Sequence, residues 1–251
     1  MKKVHLSTLA IAIAASLTIA SCKKDSSSSS DAQVLFTMGS DNASANFVNV
    51  ATPGGPTVLS TGTNATAIGT ASVVWTSAIA NISKFKLEAK KDGVPFEIVA
   101  NGISNVDLLS ISPLSIAAAI PNGNYTNVEV HVVLAKSTGT APPLVLKGTY
   151  TTKAGNPIPI EFDFNDNVEI TATAADIKVD GTANVAANLA LHLNKLLADV
   201  TTTDIDQTTR TPIGNVTNGI LITTSLNPAV YAKILNDIAG AGGSSVTAVK
   251  K

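Results

Sequence analysis

The 251-residue chain is poor in charge and in aromatic side chains, since 14% of its residues are charged and 4% are Phe, Trp or Tyr. Its 17 basic and 18 acidic residues leave a net charge of −1, which excludes a nucleic-acid binder that relies on bulk positive charge. A hydrophobic fraction of 45% excludes an intrinsically disordered chain. A single cysteine excludes internal disulfides and zinc sites built from cysteines.

The first 22 residues have the pattern of a bacterial secretion signal. Lys2 and Lys3 precede an apolar run at 6–20, which is too short for a membrane-spanning helix and ends in small residues. The sequence Ile-Ala-Ser-Cys at 19–22 resembles a lipobox, in which the cysteine thiol receives a diacylglycerol before cleavage. We therefore predict a signal peptide at 1–21 and lipidation of Cys22, the one cysteine of the chain.

Residues 22–32 are predicted to form a lipidated cysteine and a serine-rich tether. Residues 23–31 read Lys-Lys-Asp, five serines and Asp, with nothing apolar to bury. The Lys-Lys-Asp start resembles the export signal of surface lipoproteins in the Bacteroidetes group, so we expect an outer-membrane location that faces either the periplasm or the cell surface. Loss of residues 1–21 removes two lysines and no acid, so 15 basic against 18 acidic residues give −3, and we expect no nucleic-acid partner.

Beyond the tether, alternating apolar and polar residues between turn signals predict an all-β protein, an antiparallel β-sandwich of immunoglobulin-like or transthyretin-like type. The clearest strand is 82–90, where Phe85, Leu87 and Ala89 alternate with charged residues. Asp92-Gly93 then turns the chain into a second strand that Pro95 restricts to an edge. About nine or ten strands are expected, with candidates at 33–38, 44–50, 66–76, 82–90, 94–99, 125–134, 144–152, 157–164, 168–173 and 183–193.

Two short helices interrupt this pattern. A helical turn is predicted at 194–200, and a helix at 228–239 begins after Asn227 as N-cap, with Pro228 in the first helical position. The predicted organisation is therefore a sandwich domain at 33–200 and a C-terminal strand plus helix at 201–251, packed on the sandwich. The glycine-rich tail from about 240 is expected to be mobile.

The order of elements across 75–193 resembles an uncharacterised lipoprotein family of Bacteroidetes, a domain of unknown function. The residues that carry the resemblance are Ile-Ser-Lys-Phe at 82–85, Asn-Val-Asp-Leu-Leu at 105–109 and Pro-Asn-Gly-Asn-Tyr-Thr at 121–126. The resemblance implies a β-sandwich on a lipid tether with no assigned chemistry, and it transfers no catalytic residue.

One turn concentrates side-chain oxygens of the kind that Ca²⁺ prefers. Asp163, Asn165 and Asn167 match an EF-hand loop at three positions, but Val168 replaces the required glycine and Ala174 replaces the bidentate glutamate. Asn and Asp are also common turn residues because they hydrogen-bond their own backbone. We therefore interpret this segment as a plain hairpin turn and predict no metal, with these three residues as the candidate ligands should a cation bind.

No catalytic constellation is evident, so we predict a protein that is not an enzyme and needs no cofactor. His131 and His192 fall on the polar phase of predicted strands, and neither lies beside a nucleophile in sequence. Glu129, Glu161 and Asp163 occur on neighbouring predicted strands. Because alternation places them on the solvated face, we interpret them as surface and not as the acid pair of a glycosidase.

The expected function is that of a non-enzymatic binding or assembly module of the cell envelope, held at the membrane by lipid, with an unknown protein or glycan partner. The ligand-binding residues are unknown. Two alternatives remain: a fimbria-like structural or anchor subunit, which requires an accessible edge strand, and a glycan-capture lipoprotein. Glycan capture requires exposed aromatic side chains for stacking. Burial of Trp75, Tyr125, Tyr150 and Tyr231 would argue against it.

Overall fold

A computed structural model describes residues 32–47, 70–111, 114–181 and 184–239, together with the backbone of 244–250. Its strands are β1 Ala32–Asp41, β2 Ser44–Asn46, β3 Ser72–Ala80, β4 Lys84–Lys91, β5 Val94–Asn101, β6 Val106–Asp107, β7 Ser115–Ile120, β8 Gly123–Leu134, β9 Leu144–Thr151, β10 Pro157–Phe164, β11 Val168–Ala174, β12 Ile177–Val179, β13 Val185–His192, β14 Arg210–Ile213, β15 Val216–Ile222 and β16 Ser244–Lys250. The helices are a 3₁₀ turn at Lys195–Leu197, α1 at Thr202–Asp206 and α2 at Pro228–Ala239.

The strands form three sheets, which confirms the predicted all-β sandwich with a short C-terminal helix. Sheet A has the order β16-β13-β1-β7, and sheet B has the order β14-β15-β10-β9-β3-β2, with β6 beside β3. Sheet C has the order β11-β8-β4-β5, with β12 beside β8. Most neighbours are antiparallel, but β1 pairs parallel with β13 and β10 pairs parallel with β15.

The hairpin of β4 and β5 follows the predicted alternation. Phe85 and Leu87 are fully buried, while Lys86 between them lies on the opposite face. Asp92 and Gly93 turn the chain with φ values of 48° and 85°, a left-handed conformation that glycine tolerates best. Pro95 lies on β5, an edge strand of sheet C, where its missing N–H leaves no ladder bond unmade.

One continuous apolar core joins the sheets. Phe36 of sheet A stacks on Phe85 of sheet C with ring centroids 5.7 Å apart. The chain passes from sheet B to sheet C between β3 and β4 and again between β10 and β11, and buried side chains of both sheets belong to this one core. Complete burial of one such aromatic ring contributes about 1.5–3 kcal/mol relative to exposure.

A register irregularity in sheet B depends on glycine. The pairing of β3 with β9 shifts between Trp75 and Ser77, and Gly148 lies opposite Trp75. A Cβ atom at Gly148 would lie 2.2 Å from the carbonyl oxygen of Val74, closer than any packed side-chain carbon can approach. The strand therefore needs glycine at this position.

Helix α2 occupies the predicted residues and buries Val230, Ile234 and Ile238. The predicted side-chain cap is wrong, because Oδ1 of Asn227 accepts the backbone N–H of Thr209 at 2.7 Å instead of an N–H of the helix. Its amide group donates to the carbonyl oxygens of Leu221 and Thr209 at 2.7 and 3.1 Å. Asn227 has a φ of 61°, and it is its backbone carbonyl that accepts hydrogen bonds from the first turn of α2. This asparagine therefore ties the helix start to β14 and β15.

The C-terminal segment contributes more strands than the one predicted. β14 and β15 extend sheet B, and the tail that we expected to be mobile contains β16, which pairs antiparallel with β13 at the edge of sheet A. The helical turn predicted at 194–200 is present as the shorter 3₁₀ turn Lys195–Leu197, with Leu196 and Leu197 buried. Among the described residues, neither helix has the length and apolar composition needed to cross a bilayer.

Candidate functional site

The outer face of sheet C gathers four ionisable side chains from three strands. Glu88 lies on β4, Glu129 and His131 lie on β8, and Glu169 lies on β11; we call these residues the glutamate–histidine cluster. Glu88 stands directly opposite Glu129 in the register, while Lys86 stands opposite His131. Because side chains alternate along each strand, the buried partners on the inner face fix these groups on one outer surface.

The imidazole of His131 is held in one orientation. Its Nδ1 lies 2.9 Å from a carboxylate oxygen of Glu169 and 3.0 Å from the hydroxyl oxygen of Thr171. A carboxylate can only accept, so the contact with Glu169 places a proton on Nδ1. In a neutral imidazole the lone pair is therefore on Nε2.

Nε2 of His131 points between two carboxylates. It lies 3.6 Å from Oε2 of Glu129 and 3.7 Å from Oε2 of Glu88, and it has no hydrogen-bond partner. The residue is 7% exposed, although it belongs to the polar phase of its strand. The position of His131 on the polar phase predicts a solvent-facing ring, and this prediction is wrong because the surrounding acidic side chains cover the imidazole.

Lys86 is the cation that borders the cluster. Its Nζ lies 2.7 Å from Glu88 and 3.3 Å from Glu169. The hydrogen bond from Lys86 lowers the pKa of the Glu88 carboxyl, and the same bond raises the pKa of Lys86. Both groups are thus charged at neutral pH, which leaves Glu88 available as an anionic ligand.

A β-bulge lies next to the cluster. The pairing of β4 with β8 shifts between Glu88 and Lys90, and Asn127 of β8 adopts a φ of 51°. A bulge bends its strand and increases the local twist, which changes the direction of neighbouring side chains. This irregularity begins two residues before Glu129, the residue that pairs with Glu88.

The predicted oxygen-rich turn is used for hydrogen bonding within the fold. The side-chain oxygens of Asn165 and Asn167 accept the backbone N–H groups of Ser137 and Lys136, both at 2.8 Å. These amides therefore connect the loop after β8 to the turn between β10 and β11. The interpretation as a structural turn fits this geometry, since the two oxygens already have partners.

Asp163 has a different environment from these two asparagines. It lies on β10 with Glu161 on the same polar phase, and burial followed by the charge of Glu161 raises the pKa of its carboxyl. Its Oδ1 is buried without a hydrogen-bond partner. Glu129, Glu161 and Asp163, the acids considered for a glycosidase pair, therefore lie on different sheets. Glu129 belongs to sheet C, and the other two belong to sheet B.

His192, the other histidine among the described residues, has a single acidic neighbour. Its Nδ1 lies 2.6 Å from Oδ1 of Asp41, which stands opposite it in the parallel pairing of β13 with β1. This arrangement is a local ion pair and lacks the second and third carboxylates found around His131. It provides a natural comparison for that cluster.

The tryptophan and the three tyrosines of the chain are all buried. Trp75 is 2% exposed, Tyr125 1%, Tyr150 0% and Tyr231 4%. The tyrosine hydroxyls bond internally, for example from Tyr125 to the carbonyl oxygen of Pro121 at 2.6 Å. None of these rings is available to stack against a sugar.

A polar cleft of about 700 Å³ lies apart from the cluster. It is bordered by residues 44–47, 201–203, Lys153 and Asn194. Asn194 Oδ1 is buried there without a hydrogen-bond partner. No member of the glutamate–histidine cluster lines this cleft.

Comparisons with protein-family models, with curated proteins and with solved structures found no match to this chain. The resemblance to a Bacteroidetes lipoprotein family therefore stays a prediction. Cys22 and the signal sequence lie outside the described residues. The candidate site consequently depends on the geometry of the glutamate–histidine cluster.

From the sequence, Glu129 was interpreted as a surface residue and His131 as a histidine without a neighbouring nucleophile, and the two were not connected. Glu129 and His131 are two residues apart on one strand, and strand pairing, which sequence alternation does not reveal, brings Glu88 and Glu169 to them. The signal present in the sequence was that Glu129, His131 and Glu169 all occupy the polar phase of predicted strands. Those strands were also predicted to pack on one core. Alternation therefore identified the outer face of the sheet but not the side chains that surround His131 on it.

Proposed function

We propose that the protein is an outer-membrane lipoprotein that acts as a non-enzymatic binding or assembly module of the cell envelope. The observation that carries this proposal is the position of Cys22, the one cysteine of the chain, immediately after an apolar run and before a polar tether. Several acyl chains on one residue hold a folded body at a bilayer, since a single chain gives marginal binding. The module faces either the periplasm or the cell surface.

The length of the tether supports this arrangement. β1 begins at Ala32, so nine residues at 23–31 separate the lipidation site from the first residue of the folded body. Nine residues reach at most about 32 Å when extended. This reach allows the outer face of sheet C to meet a partner away from the headgroups.

The burial of all four Trp and Tyr side chains argues against the glycan-capture alternative. Sugar recognition by stacking needs an exposed aromatic face, and these four rings belong to the core. Sheet C instead presents a polar, ionisable surface around His131. This surface is suited to an ionic or protein partner.

A fimbria-like structural subunit is the second candidate, and the edge strand β5 favours it. Val94 and Val99 on this strand are 65% and 51% exposed. An edge strand with exposed β-branched side chains offers a surface for strand addition by another chain, although part of β5 lies against β7 and Pro95 removes one donor. The two candidates differ in whether the protein associates with itself.

Membrane fractionation of cells that express Cys22→Ala tests the anchor. We expect the variant to move from the membrane to the soluble fraction, whereas Ser28→Ala in the tether, a matched control, stays with the membrane. Membrane partitioning of Cys22→Ala equal to that of the unaltered protein would contradict lipid anchoring.

The same Cys22→Ala chain allows the two functional candidates to be separated in solution. Sedimentation at micromolar concentration is expected to show a monomer for a binding module. Concentration-dependent assembly that Val99→Lys abolishes would instead support the structural subunit. Affinity capture of envelope components with the monomeric chain would then identify the partner.

A further inference from the structure

We propose that His131, Glu88 and Glu129 bind one divalent transition-metal cation of the Zn²⁺ type on the outer face of sheet C, with Glu169 as the residue that positions the imidazole. This inference concerns a site within the folded body and does not depend on the lipid anchor. It assigns a divalent transition metal to the outer face of sheet C, for which the sequence indicates no ligand.

The Nε2 atom of His131 has no hydrogen-bond partner, which favours a bound cation at this position. A buried polar atom without a partner is costly, so native proteins seldom leave one. Here the residue is 7% exposed, and its free nitrogen is directed at two carboxylates that also have no donor to offer when ionised. A cation between the three groups satisfies all of them at once.

The distances from Nε2 of His131 to the two carboxylates are close to those of a tetrahedral metal site. Ligand atoms at about 2.0–2.2 Å from Zn²⁺ stand about 3.3–3.6 Å from one another. Nε2 of His131 is 3.6 Å from Glu129 and 3.7 Å from Glu88, and all three ligand atoms lie within 4.8 Å of one another. Both carboxylates are close to half exposed, so a small rotation of either side chain closes the remaining gap.

The contact between Glu169 and Nδ1 is the arrangement that prepares a histidine for metal binding. A ligating histidine commonly donates its other N–H to a carboxylate, which fixes the tautomer and increases the basicity of the ligating nitrogen. Glu169 accepts from Nδ1 at 2.9 Å while Lys86 holds the same carboxylate at 3.3 Å. The lone pair of Nε2 is thereby kept available and aimed at Glu88 and Glu129.

The charge balance of the face favours a cation. Like charges directly opposite each other in a sheet are destabilising, and Glu88 faces Glu129 on one side and Glu97 on the other. Lys86 pairs with Glu88 and Glu169, whereas His131 is the group that the structure places against Glu129. A divalent ion at this point offsets the repulsion between the two ligating carboxylates.

The ligand set selects the class of metal. Ca²⁺ and Mg²⁺ prefer sites made entirely of oxygen, whereas imidazole favours Zn²⁺ and neighbouring transition metals. Three protein ligands leave a fourth tetrahedral position for water or for a group from a partner. Because Glu88 and Glu129 are 41% and 44% exposed, that position is open to the outside.

Calorimetric titration with ZnCl₂ tests the site in the full chain carrying Cys22→Ala, which removes the one thiol. The protein is purified without a polyhistidine tag and first dialysed against EDTA. We expect one equivalent of Zn²⁺ to bind, and we expect His131→Gln and Glu129→Gln each to weaken binding by at least tenfold. His192→Gln, which alters a histidine with one acidic neighbour, is expected to keep full affinity.

The role of Glu169 has its own readout. Loss of an outer partner of a metal-bound histidine typically weakens binding by about 10–100-fold. In ¹⁵N spectra of the metal-free protein, Glu169→Leu is expected to lose the fixed Nδ1–H tautomer of His131, and Glu169→Gln, which keeps an acceptor, is expected to restore it. An unchanged tautomer in Glu169→Leu would overturn the positioning role.

The metal site is overturned by either of two results on protein whose circular dichroism shows a retained fold. One is the absence of saturable binding of Zn²⁺, Co²⁺ or Ni²⁺, in which case the cluster is an ion-pair network. The other is Zn²⁺ affinity in His131→Gln equal to that of its parent. Preference for Ca²⁺ over Zn²⁺ would likewise contradict the assigned class of metal.

Discussion

Glu129→Gln is expected to stabilise the metal-free protein while it weakens metal binding. Glu129 stands opposite Glu88, and their ligand oxygens lie within 4.8 Å of each other. Two unit charges at that separation repel by about 0.9 kcal/mol in water. Since Glu129 is 44% exposed, we keep the dielectric close to that of water and expect a gain of about 0.5–1 kcal/mol in the free energy of unfolding.

Thermal unfolding in EDTA at pH 8 and low salt measures this gain. For a chain of this size we expect the midpoint to rise by about 1–4 °C. The difference should shrink in 1 M salt, because the Debye length falls to about 3 Å. Excess Zn²⁺ should reverse the order of stability, since it stabilises the parent more than the variant.

Glu169→Gln is the matched control for this experiment. Glu169 has a similar exposure, 46%, but its close neighbours are attractive, with Lys86 at 3.3 Å and the imidazole of His131 at 2.9 Å. The same substitution there is expected to lower stability by a few tenths of a kcal/mol. A lower midpoint for Glu129→Gln in EDTA would refute the repulsion argument, because it would show that Glu129 makes a net attractive contact without metal.

Three further predictions concern the scaffold. Gly148→Ala should destabilise by about 1–3 kcal/mol in urea unfolding, because its Cβ would meet the carbonyl of Val74; an unchanged midpoint would contradict the packing described. Asp204→Ala should cost about 1 kcal/mol at pH 7 by breaking the capping box with Thr201. The hydrogen bonds of Asp204 outweigh its burial and lower its pKa, so this cost should fall as the pH drops below the usual value of 3.8, and a pH-independent cost would refute it. Asp163→Asn should stabilise the protein at pH 7 by a few tenths of a kcal/mol, because burial raises the pKa of Asp163 and its ionisation therefore disfavours the folded state. The gain should vanish below pH 3.8, where the carboxyl is neutral in both the folded and the unfolded state. A variant less stable than its parent at pH 7 would contradict this prediction.

The elements that the sequence predicted well are those whose signal is local. The alternation at Phe85 and Leu87, the Asp92-Gly93 turn and the apolar stripe of α2 depend on neighbouring residues, and the structure confirms them. The parallel pairing of β1 with β13 joins residues 151 positions apart, and no local pattern encodes it. Asn227 shows the same limit, since its amide bonds to distant strands that the sequence did not place beside it.

The candidate site was missed for a related physical reason. Alternation assigns His131 to the polar face but does not show which side chains surround it there. Its burial results from Glu88 and Glu129 on one side and Glu169 on the other, and two of these lie on other strands. Polar phase and solvent exposure are therefore different properties when several long acidic side chains converge on one ring.

Intact mass spectrometry of the native N-terminus tests the central proposal, a folded module held at the membrane by lipid on Cys22. We predict a mature chain that begins at Cys22 and carries the mass of a diacylglycerol on its sulfur atom. A chain that retains residues 1–21, or one that begins at an unmodified residue, would contradict it.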